Sequence, residues 1–98
     1  MSMLSGEVTG YVGEPIKAIS GSQIKLKCNL KSTKDVVISW KKDGEELRKN
    51  SGYVQVEDTL IIKDTLLPGN FTYTCLVTGI LGTAQRSSQV EVIGTNLF

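Results

Sequence analysis

Ile38-Ser39-Trp40-Lys41-Lys42-Asp43-Gly44-Glu45-Glu46-Leu47 is the stretch on which the reading of this 98-residue chain turns, set between Cys28 and the triplet Tyr73-Thr74-Cys75. Val36, Ile38 and Trp40 alternate with Val37, Ser39 and Lys41, the period of two that gives a strand one apolar face. Asp43-Gly44 follows at once, and both residue types accept the positive φ of a tight hairpin turn. The chain therefore returns at Glu45 with Leu47 tucked inward. The sole tryptophan rides the inward face of the outgoing arm.

The same alternation extends on either side. Ile24, Leu26, Cys28 and Leu30 alternate with Gln23, Lys25, Lys27 and Asn29, and Phe71, Tyr73, Cys75 and Val77 form a second inward set. Each cysteine is thereby carried to the interior. Tyr11-Val12 and residues 16–19 read as one split edge strand, with Pro15 at the break, where a missing N–H does least harm. Val54 and Val56 belong to one further strand and Leu60 and Ile62 to the next, joined through Glu57-Asp58, while Val90 and Val92 close the last. Seven or eight short strands without a helical period or an internal repeat imply an all-β fold. Two antiparallel sheets packed face to face with Greek-key connections is the architecture that buries such a pattern. The expected boundaries are a lead-in or expression-derived addition over 1–9, the domain over 10–93 and a linker over 94–98.

Composition narrows the function. Apolar residues make up 40% and charged residues 21%, with a formal net charge of +1. Those are values of a folded domain, and they provide no basic surplus for nucleic acid or an anionic membrane. No apolar run approaches the ~18 residues of a membrane span, so direct insertion by this segment is not expected. The opening residues carry no export signal either, and the domain reads as a fragment of a larger protein.

Two cysteines 47 positions apart, in a chain without histidine, do not make a zinc site. A disulfide is the better reading, worth roughly 4 kcal/mol on the loop-entropy model. It points to an oxidising, extracellular setting. Reduced, inert cysteines in an intracellular domain are the alternative. Catalysis finds no support. The acids of Glu45-Glu46 and Glu57-Asp58 sit in exposed turns, and the chain has no histidine base, no serine at a nucleophile elbow and no phosphate loop before a helix. No cofactor or metal is expected.

With these residues in place, the block from Cys28 through Trp40 to Tyr73-Thr74-Cys75 resembles the immunoglobulin superfamily, in its intermediate-set (I-set) form. The distance from Trp40 to Cys75 is too short for the extra strands of an antibody variable domain. Cys75-Leu76-Val77-Thr78-Gly79 is similar to domains of neural cell adhesion molecules, and Cys28-Asn29-Leu30-Lys31-Ser32 to the basigin, embigin and neuroplastin group. The resemblance implies a Cys28–Cys75 bridge with Trp40 against it, and a corner tyrosine at Tyr73 whose hydroxyl bonds back to the preceding turn. It departs from the family at Gly69, Phe71 and Tyr53, where an aspartate, a small residue and an arginine are usual. Phe71 is then expected to fill the space of the absent ion pair.

What the resemblance implies for function is a recognition module of a cell-surface adhesion molecule or receptor on the extracellular side of the plasma membrane. Its partner would be another protein, a second copy of itself or a membrane transporter. The alternative is a spacer in a cytoplasmic, sarcomeric filament protein. Three local features bear on this. Asn70-Phe71-Thr72 is a glycosylation acceptor triplet. Ile80-Leu81, apolar at a hairpin tip, is the candidate partner contact. Lys41, Lys42, Arg48 and Lys49 would make a basic strip, but Glu45 and Glu46 interrupt it, and a solvated face is the plainer account.

Overall fold

The computed structural model describes residues 6–32, 34–47, 52–63, 65 and 67–94. Among them the alternating stretches become β1 (Glu7–Tyr11), β2 (Ile16–Ile19), β3 (Gln23–Lys27), β4 (Val36–Lys42), β5 (Glu45–Glu46), β6 (Tyr53–Val56), β7 (Thr59–Ile62), β8 (Gly69–Gly79) and β9 (Gly82–Ile93). They assemble into two sheets, of order β1-β3-β7-β6 and β2-β9-β8-β4-β5. Strands adjacent in sequence repeatedly cross to the other sheet, which is the expected Greek-key sandwich.

The core lies between the inner faces. Ile24 and Leu26 from β3 and Leu60 and Ile62 from β7 meet Trp40, Tyr73, Cys75, Val90 and Val92 from the opposite sheet, all of them buried. Lys42 pairs with Glu45 across the β4–β5 turn, whose two central residues, Asp43 and Gly44, have φ of 52° and 86°. Those angles match the right-handed twist of the flanking strands. The Asp43 carboxylate also accepts from the Thr72 N–H at 2.8 Å, while the Asp43 N–H donates to the Thr72 carbonyl at 2.7 Å, so the turn is pinned to β8.

In β6 the register places Tyr53 opposite Ile62 and Gln55 opposite Leu60, so these two face inward and Val54 and Val56 face out. Gln55 Nε2 crosses the gap to donate to the Ile38 carbonyl at 3.0 Å.

The amino-terminal edge differs from the sequence expectation. β1 takes in Glu7, Val8 and Thr9, which the composition assigned to a lead-in, and it is not the first half of a split strand. The Glu14 N–H donates to the Tyr11 carbonyl at 3.2 Å and Gly13 adopts a φ of 99°, a conformation open to glycine, so the chain reverses here. In consequence β1 runs parallel to β3, and β2 parallel to β9. Pro15 lies in the reversal and interrupts no ladder. Each sheet is antiparallel through its inner strands and carries one parallel edge strand.

Candidate functional site

Cys75 lies directly opposite Trp40 in the β4–β8 ladder, and its sulfur is bonded to that of Cys28 on the facing sheet, with the two Cα atoms 5.9 Å apart. Trp40 is 2% exposed and Tyr73 3%. The four residues on which the resemblance rests are thus brought together as core. The turn expected to receive the Tyr73 hydroxyl includes residues 64 and 66, which lie outside the described residues.

Where the family's ion pair is missing, the structure puts rings. Tyr53 and Phe71 line one hollow of about 90 Å³ together with Leu67 and Lys42. Lys42 Nζ stands 4.6 Å from the centre of the Phe71 ring, a favourable cation–π placement. Lys42 therefore belongs to this cluster and not to a basic strip. Lys41, its neighbour on β4, points to the other face, and Arg48 and Lys49 lie outside the described residues.

The hairpin joining β8 to β9 carries the exposed apolar pair. Gly79 and Gly82 face each other at the end of the ladder, and Ile80 and Leu81 form the two-residue turn between them. Such turns favour positive φ at their centre, which a β-branched residue resists. Ile80 and Leu81 keep negative φ, and Gly82 takes up the difference at 132°. Both side chains stand in solvent, at 93% and 102% exposure, so neither folds back over the sandwich. Beside them Val36, Val77 and Ala84 line an open apolar groove, with Val37, 69% exposed, on the neighbouring outer face.

A partner covering both side chains stands to gain roughly 1.5–3 kcal/mol from each before ordering costs. Loop tips are ordinarily polar, so two adjacent apolar side chains standing free there make a candidate partner contact.

Asn70 is exposed at the start of β8, beside Phe71 and opposite Glu91. The hydroxyl of Thr72, third residue of the triplet, donates to Gln89 Oε1 at 3.1 Å. Glu45 and Glu46 are exposed, as is Glu57, whereas Asp58 is structural. It accepts from the Leu30 N–H at 3.1 Å through its carboxylate and from the Cys28 N–H at 2.9 Å through its carbonyl.

One residue of consequence escaped sequence reasoning. Ser88 is 2% exposed in the inward set of β9, and its hydroxyl receives the Gly13 N–H at 2.9 Å, anchoring the reversal between β1 and β2. A polar residue breaking the run toward Val90 and Val92 was the available signal, since a buried hydroxyl needs a partner.

A disulfide-linked Greek-key sandwich with an indole against the bridge defines an immunoglobulin-type domain. The immunoglobulin I-set model matches residues 7–92, and the chain belongs to that family, whose domains are non-catalytic modules. Human hemicentin-1 is 33% identical over 85 residues, covering 85% of this chain and 2% of its own length. The human SPEG neighbor protein is 36% identical over 87 residues, covering 81% of this chain and 37% of its own. The chain thus spans a small part of the curated relatives it matches. Among solved structures, the titin I-band fragment I67-I69 superposes with a TM-score of 0.68 at 26% identity, over 83% of this chain and 30% of that one.

Proposed function

We propose that this domain is a protein-recognition module, one immunoglobulin-like domain of a multi-domain adhesion molecule or receptor on the extracellular side of the plasma membrane. The observation that carries the proposal is the adjacent pair Ile80 and Leu81, fully exposed at the β8–β9 tip beside the Val36–Val77–Ala84 groove. Nothing in the packing of the domain uses these side chains, whereas a protein surface would. The Cys28–Cys75 bridge supports the extracellular setting, because such bonds persist where the milieu is oxidising. The partner is a protein, with a second copy or a membrane transporter as the specific forms that the resemblance to adhesion and basigin-like molecules suggests.

The test is adhesion. Cells plated on surfaces coated with the oxidised domain are expected to attach, and attachment should fall at least tenfold on the Ile80→Ser/Leu81→Ser variant. Equal attachment to both surfaces would remove the tip from the contact. Free thiols at Cys28 and Cys75 in protein taken from its native cell would reject the extracellular setting in favour of the intracellular filament spacer.

A further inference from the structure

We infer that β1 serves as a strap that tension between Gly6 and Gly94 strips off first. The inference is independent of which partner the tip binds. It starts from the reversal at residues 11–14. Because β1 runs parallel to β3, its first residue lies at the same level as the start of β3: the Gln23 N–H donates to the Gly6 carbonyl at 2.8 Å, and the Gly6 N–H to Ser22 Oγ at 3.4 Å. The other end arrives at the same place, since the Ser20 N–H donates to the Ile93 carbonyl at 2.8 Å. Gly6, Ile19, Ser22 and Ile93 even border one shallow hollow.

A single turn, residues 20–23, therefore holds both Gly6 and Ile93. The Ile80–Leu81 tip stands at the opposite pole, past the whole β8–β9 ladder from Gly69↔Val92 to Gly79↔Gly82, which at the rise of a strand is roughly 35 Å away. Gly6 and Gly94 both lie at the pole remote from the tip.

The same geometry sets the mechanical response. Pulling Gly6 away from Gly94 opens the β1–β3 ladder one hydrogen bond at a time from its end. Once β1 is off, the load passes to Ile16, and β2 and β9, parallel and registered from Ile16↔Val90 to Ile19↔Ile93, are pulled along their length so that their bonds share it. The strap is the weaker element. It is one exposed edge strand, fitted through Gly10, where an added Cβ would collide with the Ile16 side chain, and tied at its far end by Ser88.

Two measurements test this on the whole, oxidised chain. Nitroxide labels on Glu7→Cys and Ile93→Cys, both exposed positions, should give an electron–electron distance of about 15–25 Å, since facing sheets lie about 10 Å apart and the label arms add to that. A distance of about 35 Å or more, that of opposite poles, would overturn the inference. With optical-tweezers handles at the same positions, a first, reversible lengthening of about 30 Å is expected, that of the residues from Gly6 to Pro15 drawn out, followed by cooperative rupture. Moving the first handle to Glu14→Cys should abolish the early step and leave the rupture force unchanged. A single rupture from the Glu7 handle, or identical traces from both, would refute the strap.

Discussion

The buried hydroxyl of Ser88 on β9 accepts the backbone N–H of Gly13 at 2.9 Å, joining residues 75 positions apart in the chain. That bond, with a second from the Gly13 N–H to the Ser87 carbonyl at 3.1 Å, seats the reversal that sends β1 back along β3. Replacing Ser88 with alanine should cost about 1 kcal/mol, the worth of one such bond when its donor keeps another acceptor. Urea unfolding checks the loss. Hydrogen exchange should show it concentrated in β1, with β3 and β8 hardly changed, because the sandwich core does not pass through this contact.

The bridge between Cys28 and Cys75 closes a loop of 47 positions around most of the core. Its reduction, or the paired change Cys28→Ala/Cys75→Ala, should lower stability by about 4 kcal/mol on the loop-entropy model. Denaturant titration with and without reductant measures this. A loss under 1 kcal/mol would mean that the unfolded chain is already restrained.

At the tip, Ile80→Ser/Leu81→Ser removes apolar surface that the fold does not use. Stability should change by no more than about 0.5 kcal/mol, as for surface positions free of special contacts. Calorimetry is the check, and a large fall in melting temperature would show that the pair is held against the sandwich.

Lys42 and Phe71 should be energetically coupled. In a double-mutant cycle with Lys42→Ala and Phe71→Ala, the coupling should be about 0.5–1 kcal/mol, the range for a partly exposed cation over a ring. Independence of the two effects would reduce the contact to coincidence of position.

Asn70 should carry sugar when the domain is made in a secretory cell. The intact mass should then exceed that of the bare chain, and Asn70→Gln should abolish the excess. An unchanged mass for the wild-type domain would count against the triplet.

How much of this was legible in advance follows from what alternation encodes. The period of two around Trp40, Cys28 and Cys75 says which side chains face inward, and Asp43-Gly44 says where the chain must turn; those features suffice for the sandwich, the bridge and the buried indole. They are short-range or depend only on a residue's face, so they survive in a linear text. Direction does not. An alternating strand is equally apolar whether it runs parallel or antiparallel to its neighbour, and Tyr11-Val12 followed by Pro15 read as one split strand as readily as a reversal.

The tertiary structure decided the matter through Gly13, the buried Ser88 and the narrow fit of Gly10 on Ile16, contacts between residues that composition and spacing do not relate. The same holds at the surface. Two adjacent apolar residues at a hairpin tip look alike in sequence whether they fold back or stand free, and only the tertiary structure, in which both side chains stand clear of the sandwich beside an open groove, settles that Ile80 and Leu81 face solvent.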